Sequence, residues 1–268
     1  ILFNANINYR NLKSENFAEL KDLLGGTGFL DVDFFAEGED EEVTIEVGDV
    51  AQSDLRNRNR IAKEGDRYKY NYEINSKVLS GFTQAQFKYN RVDFYIGASV
   101  SNTNYQRNGL FENGNYPGTE SFGEGEKQSF TDFGVKGGAI YKVTGKHLID
   151  VNLGYLSKAP SIRNTFTNAR QNNAVSIGLE SEKIQNVDIG YIFRSPIVKA
   201  RITGFYSNFK GGSDLGFYFT ENISGLGLEQ DAFIQEVMTN VEKQHIGGEL
   251  GIEAQVTPTI KLKGAASM

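Results

Sequence analysis

The sequence predicts an all-β protein, a transmembrane antiparallel β-barrel with long extracellular loops. Three observations predict it. Apolar and polar residues alternate with a period of two along most of the chain, as side chains do on a strand. Short turns alternate with long polar connections, as expected when successive strands end on opposite faces of a membrane. The runs also have the required length, since residues 146–156 match the ~9–11 residues that a tilted strand needs to cross the hydrocarbon.

The central hairpin, residues 187–207, shows the alternation most clearly. Side chains at every second position share one face of a strand, and we call each such set a parity. One parity is mainly apolar, and the other holds polar groups and fixed charges, among them Asp188, Lys199 and Arg201. The connection Arg194-Ser195-Pro196 suits a tight turn, because a turn needs no backbone donor at proline. A single hairpin of this kind fits a soluble sandwich as well as a membrane barrel, so the decision depends on repetition.

The same pattern recurs on both sides of three more short connections, at 89–91, 143–146 and 256–259. The apolar parity, predicted to face lipid, also includes residues of an earlier run: Tyr68, Tyr70, Tyr72 and Ile74. Tyr89, Tyr141 and Phe193 share the apolar parity close to short turns, where an interfacial aromatic girdle would lie.

Four long connections separate these hairpins, at residues 10–66, 102–128, 158–181 and 211–240. In a soluble sandwich, loop lengths have no reason to alternate, and loops beyond ~12–15 residues are uncommon. Within the first connection, the spacing of Phe17, Leu20 and Leu24 predicts a short helix over 17–26, with Gly25 as its stop. The whole pattern predicts about ten strands. The first and last runs break off in mid-alternation, so we expect residues 1–268 to be part of a larger barrel.

Composition excludes several classes. The chain has no cysteine, which removes disulfides and thiolate metal sites, and its net charge of −6 argues against nucleic acid as a partner. The sequence contains no run of ~18 apolar residues, so no membrane-spanning helix is predicted. The chain has 39% apolar residues and 30 glycines among 268. Composition alone therefore does not distinguish a soluble β-protein from a membrane β-protein.

The stretch GYLSKAPSIRNTF, followed by NARQNNAVSIGLESEKIQNVDIGYIF, carries a family resemblance. It resembles TonB-dependent outer-membrane receptors, in which a strand ends in an S-x-x-x-x-P-S/T-like loop with an arginine nearby, followed by an N-P-x-L-x-P-E segment and an E-x-G. Residues 178–182 correspond to the L-x-P-E part, and Asp188 and Gly190 to the E-x-G. Ala174-Val175 replaces the usual Asn-Pro, and Ser181 replaces the proline. The residues of this stretch are most similar to those of receptors of the Bacteroidetes type.

The resemblance implies a ~22-stranded barrel blocked by a plug domain, in the outer membrane of a Gram-negative cell. It implies import of a scarce ligand, such as a siderophore, vitamin, glycan or peptide, with energy from the TonB complex acting on the plug. The plug domain and both ends of the barrel would lie outside this sequence. The implied partners are TonB, the ligand, membrane lipid and a surface lipoprotein.

Two groups of residues are predicted to serve this function. Lys199, Arg201, Glu249 and Glu253 are on the polar parity and are expected to face the lumen, where they contact plug or ligand. At the loop rim, Arg163 and Arg170 are expected to pair with acidic groups at the start of the next strand, namely Glu180, Glu182 and Asp188, with solvated charges as the alternative.

No cofactor, metal site or catalytic residue is predicted, and we expect no enzyme. The two histidines, His147 and His245, are about a hundred residues apart. The acidic run 37–42 offers carboxylates to calcium but lacks the spacing of a calcium loop, so a solvated loop is favoured. Two other functions stay open at this point, a passive porin-like channel and a soluble or secreted all-β adhesin.

Overall fold

The computed structural model describes residues 1–34, 48–220 and 232–268. In chain order the strands are β1 (Leu2–Glu19), β2 (Phe29–Leu30), β3 (Ile61–Ala62), β4 (Arg67–Lys88), β5 (Val92–Gly109), β6 (Gly123–Glu124), β7 (Gln128–Lys142), β8 (His147–Lys158), β9 (Glu182–Arg194), β10 (Val198–Thr220), β11 (Ala232–Gln255) and β12 (Lys261–Ser267). One short helix, α1 (Ile162–Thr165), and three 3-10 turns (Asp49–Ala51, Leu55–Asn57, Gly118–Glu120) complete the regular structure of these residues.

Ten of the described strands form one antiparallel sheet in the order β1-β4-β5-β7-β8-β9-β10-β11-β12, with β6 paired to β5. Each long strand pairs with the next one along the chain, as in a meander. The sheet is open, with β1 and β12 at its edges. The predicted antiparallel barrel wall of about ten strands is confirmed, and so are all four short turns, which join β4 to β5, β7 to β8, β9 to β10, and β11 to β12.

The two faces of the sheet differ in what they expose. The outer face presents aliphatic side chains that nothing in the described chain covers: Ile149, Ile189, Ile202 and Ile252 are each 40–56% exposed. The inner face is the one against which residues 159–181 fold. It carries most of the buried polar groups of the sheet strands, among them Ser76, Thr103, Asp132, Asp150 and Thr203. The aliphatic residues are therefore not sealed between two layers, as they would be in a soluble sandwich.

Aromatic residues collect on the outer face next to the short turns, as the girdle interpretation expects. Phe87 and Phe94 stack with ring centroids 4.7 Å apart, and Tyr89 lies 6.1 Å from Phe94. Two strands along, His147 packs against Phe193 at 5.2 Å.

The boundaries of the long connections were wrong in three places. Strand pairing continues through Glu19 in β1, through Gly109 in β5 and across most of 211–240 in β10 and β11. These extensions carry polar residues on the outer face, such as Asn102 and Asn104. The alternation of hydrophobicity fades there, while the backbone ladder continues.

The helix predicted over 17–26 was also wrong. Phe17 and Ala18 pair with Asn71 and Tyr68 at the end of β1, and the chain then turns at Leu24 and Gly25, both with positive φ. A helix of this length is marginal in water, whereas the neighbouring strand offers backbone partners at once.

The aromatic run at the start of β4 faces the opposite way to the prediction. Ile74 is 6% exposed and lies on the inner face with Tyr72, where both contact the folded loop. Residues 159–181 cover this end of β4, so its apolar side chains pack inward against protein. Among residues 1–34, 48–220 and 232–268, no helix is long and apolar enough to cross a membrane.

Candidate functional site: the polar inner wall and the loop folded onto it

A hydrogen-bonded chain of polar side chains crosses the inner face near the short turns. The Tyr95 hydroxyl on β5 donates to Asn152 Oδ1 on β8 at 3.1 Å, and Asn152 Nδ2 donates to Asp188 Oδ1 on β9 at 2.8 Å. The first of these bonds passes over β7 at Gly138, where a Cβ would lie 2.6 Å from the Tyr95 ring and 2.3 Å from Asn152 Oδ1. Glycine at this position therefore permits the link between strands that are not neighbours.

A separate ion pair on the same face joins β8 to β10 across the strand between them. Arg201 Nη2 lies 2.6 Å from Asp150 Oδ2, and the two side chains meet across β9 at Gly190. Asp150 is 5% exposed, and its other oxygen, Oδ1, has no hydrogen-bond partner in the described chain. The inner wall thus presents a buried acceptor that is only half satisfied.

Lysines surround a second carboxylate on this wall. Glu253 on β11 lies 3.6 Å from Lys199, 3.2 Å from Lys261 and 3.5 Å from Lys263. On the other side, Lys142 Nζ is 2.7 Å from Asp93 Oδ1. Because these groups are partly exposed, each pair is worth little by itself, and together they give the wall its alternating charge.

The strand register places all four predicted lumen residues on the inner face. Lys199 is directly opposite Glu253, and Glu249 is opposite Thr203, two positions along β10 from Arg201. No ion pair within the described residues includes Glu249. Sequence reasoning missed Asp93, Tyr95, Asp150 and Asn152 as site residues, although each occupies the polar parity of its strand, and it assigned Asp188 to the loop rim instead of the inner wall. Whether the four lumen residues contact plug or ligand stays a prediction.

Residues 159–181, the stretch that carries the family resemblance, fold onto the inner face instead of standing above the wall. Helix α1 begins at its N-cap Ser161, whose side chain accepts from the Asn164 N–H. Phe166 then pairs with Val175 in an isolated bridge, and Asn164 Nδ2 donates to the Ser213 carbonyl of β10 at 2.6 Å. Gln235 of β11 also donates to the Thr167 carbonyl. The segment, called the inner loop below, is thereby fixed to two strands.

Apolar packing holds the inner loop against the opposite wall. Phe166 is 3% exposed and forms a cluster with Ile74 of β4 and Tyr105 of β5. Phe130, Ile162 and Val175 pack around this cluster. Burying an aromatic side chain of this kind contributes roughly 1.5–3 kcal/mol, so the loop has a core of its own.

Arg107, near the loop end of β5, joins the inner loop to the loop 110–127. Its guanidinium is 1% exposed. It donates to the carbonyls of Ala169 and Ser121 at 2.7 and 2.8 Å and to Asn173 Oδ1 at 2.5 Å. It also lies over the Tyr72 ring at 5.2 Å. Burial lowers the pKa of Arg107 to about 10, so the group remains charged at neutral pH. Its hydrogen-bond partners are neutral, and no carboxylate among the described residues forms an ion pair with it.

The structure does not bring the predicted rim pairs together. No ion pair of the described residues joins Arg163 or Arg170 to Glu180 or Glu182, and Asp188 lies instead in the inner-wall network. Arg170 stacks over the Tyr70 ring at 5.2 Å, because the inner loop carries it inward and away from the start of β9. The acidic run 37–42 lies outside the described residues.

The histidines do not form a joint site. His147 Nδ1 is 2.5 Å from the Tyr191 hydroxyl on the outer face, whereas His245 packs edge-on against Phe209 on the inner face. In the part of the chain that the structure describes, no group of three or more His, Asp or Glu side chains could hold a metal ion.

Comparison with known proteins decides the family. A family model described as "TonB dependent receptor-like, beta-barrel" matches residues 3–263. The chain belongs to this family. Members are outer-membrane receptors, so membership implies a barrel wall in the outer membrane of a Gram-negative cell.

One solved structure supports this fold. The copper transporter OprC superposes with a TM-score of 0.58 at 14% identity, over 99% of this chain and 36% of that one. The ferric-catecholate import receptor Fiu of E. coli K12, in its closed form, gives 0.47 at 12% identity, over 78% of this chain and 31% of that one. The chain thus spans about a third of the length of either structure. No curated protein matches its sequence. The Bacteroidetes type stays a prediction.

Proposed function

We propose that this chain is part of the barrel wall of a receptor that captures a scarce ligand and imports it with energy delivered by TonB. The family match over residues 3–263 is the observation that carries this proposal. The plug domain, the TonB contact and the ligand belong to the rest of the receptor, so each is part of the proposal. A surface lipoprotein as a further partner is proposed only from the family resemblance.

The polar groups of the inner wall favour the interpretation that a plug domain occupies the lumen. Arg201, Lys199 and Glu253 point inward, and the free oxygen of Asp150 needs a donor that the described chain does not supply. A plug domain with polar side chains on its surface would offer such donors. We therefore assign Lys199, Arg201, Glu249 and Glu253 to plug contact, with ligand contact as the secondary role.

Two measurements on the full-length receptor test the proposal. After chemical cross-linking of living cells, TonB should copurify with the receptor from outer membranes. In planar lipid bilayers, the purified receptor should give no steady conductance, because the plug closes the lumen.

The alternatives predict different results. A passive porin-like channel would conduct ions and would not cross-link to TonB. A soluble or secreted adhesin would be extracted without detergent and would lack the heat-dependent gel mobility of a membrane barrel. Either result would overturn the proposal.

A further inference from the structure

A groove lies between the inner loop and the walls formed by β1, β4 and β10. Its volume is about 790 Å³, within the range of roughly 300–1,000 Å³ that small-molecule sites occupy. Apolar side chains form much of its surface, among them Leu12, Ile74, Phe166 and Leu215, while Arg163 and Arg170 come from the inner loop. We call it the loop groove.

The apolar part of the loop groove is preformed. Phe166, Leu215 and Ile74 are 3%, 5% and 6% exposed, so their positions are fixed by packing and not by a ligand. The inner loop is held at both sides, by Arg107 toward β5 and by the Asn164 bond toward β10. A ligand that enters this site would therefore meet a rigid surface, which reduces the entropic cost of binding.

The arginines of the loop groove have no acidic partner among residues 1–34, 48–220 and 232–268. Arg163 and Arg170 are exposed and take part in no ion pair within the described residues. Buried Arg107 lies behind Tyr72, and its hydrogen-bond partners are neutral. This corner is cationic although the chain as a whole carries −6. Arginine binds planar anionic groups through paired N–H donors, so the unused donors favour an anion.

We propose that the loop groove binds an organic anion that combines an aromatic or otherwise apolar body with a carboxylate, phosphate or similar group. The body would contact Leu12 and Phe217, which are 48% and 40% exposed in the groove lining, while the buried Phe166 and Leu215 support the groove. The anionic group would contact Arg163 and Arg170. The inference rests on the proposed function, because it names the ligand class of the receptor. Charge complementarity argues for this occupant over a neutral sugar.

The test uses the full-length receptor, purified in detergent, in equilibrium dialysis against two coumarin probes. 4-Methylumbelliferyl phosphate carries the anionic group, and 4-methylumbelliferyl glucoside is its neutral counterpart. The phosphate should bind at least tenfold more tightly than the glucoside, and its affinity should fall with added salt. Arg163→Gln and Arg170→Gln should each weaken phosphate binding by about tenfold or more, the size expected for a lost hydrogen bond to a charged group.

Arg91→Gln is the matched control, because Arg91 is an exposed arginine in the short turn at the opposite end of the wall. It removes the same charge and should leave phosphate binding unchanged. Unaltered heat-dependent gel mobility would show that each variant is folded.

Equal binding of the two probes, no binding of either, or full affinity in both loop variants would each overturn the inference. Such a result combined with intact TonB cross-linking would reject the loop groove and leave the receptor function standing. Selective phosphate binding without TonB cross-linking would reject the energised import and retain the anion site.

Discussion

Replacing Arg107 with methionine should loosen two loops and leave the barrel wall intact. Methionine keeps most of the side-chain length but removes every donor. The carbonyls of Ala169 and Ser121 and the Asn173 side chain would then lose their shared partner. The β5 ladder would persist, because its backbone pairs with β4 and β7 do not involve this side chain.

The expected effect follows from the contacts. Each hydrogen bond from a charged donor contributes roughly 1.5–3 kcal/mol to stability. A buried acceptor that is left without a hydrogen-bond partner costs about as much. Water will reach some of the three acceptors as the loops open, so we take about 3 kcal/mol as the net loss. That loss corresponds to roughly 100-fold faster local opening, since about 1.4 kcal/mol is a factor of ten.

Hydrogen exchange measured by mass spectrometry on the full-length receptor can resolve this change. Peptides covering 110–127 and 159–181 should exchange about 100-fold faster in Arg107→Met, whereas peptides from β8 and β9 should not change. Arg107→Lys, which keeps the charge and a subset of the donors, should fall between the two. Arg91→Met serves as the control for loss of an arginine at an exposed turn.

Unchanged protection of both loops in Arg107→Met would refute the reasoning, because it would mean that apolar packing around Phe166 alone fixes the inner loop. Faster exchange throughout the sheet would refute it in another way, by showing that Arg107 supports the wall.

Two other features of the structure lead to further predictions. Gly138→Val should destabilise the barrel by roughly 1–3 kcal/mol and lower the temperature of the gel-mobility shift, because its Cβ would lie 2.6 Å from the Tyr95 ring. Gly251→Val is the control, since Gly251 is also on the inner face but has no atom within 4 Å of its Cβ, and this variant should stay near wild type. Equal effects of the two substitutions would contradict this account. Hydrogen bonds from Lys13 and Asn108 hold the pKa of Glu73 below its ordinary range, so this contact stabilises the loop end of β1 at neutral pH and is lost as the pH falls through the lowered pKa. Glu73→Gln should therefore lower the unfolding temperature at pH 7 by a small amount and make no difference once the pH is below the lowered pKa of Glu73. A difference that persists in acid would contradict the assignment.

Much of the wall could be predicted from sequence because its information is local. The alternation around Ile149, Ile189 and Ile202 depends only on neighbours along each strand, and Pro196 marks its turn directly. The polar parity likewise identified the inner face on which Lys199 and Glu253 lie. The helical spacing of apolar residues near Phe17 gave a wrong prediction, because pairing with β4 outweighs the helix preference of a short isolated segment.

The inner loop could not be predicted, for a physical reason. Its packing joins Phe166 to Ile74 and Tyr105, residues that are 61–92 positions apart in the chain, and no local period encodes such contacts. Arg107 lay in a stretch expected to be a solvated loop, where an arginine carries no signal of burial. The inward direction of Tyr72 and Ile74 was missed because alternation gives two faces without saying which one meets lipid.

The most direct test of the account concerns the two faces of β8. Residues 1–268 contain no cysteine. Single cysteines can therefore be placed at successive positions 149–153 and spin-labelled in the full-length receptor reconstituted in lipid, once any cysteine elsewhere in the receptor has been replaced by serine. Labels at Ile149, Val151 and Leu153 should be relaxed by oxygen, which concentrates in lipid, and labels at Asp150 and Asn152 should be shielded from it. A series without this two-residue period, or with the opposite phase, would contradict the central claim that aliphatic side chains of this wall face lipid while its charged ones face an enclosed interior.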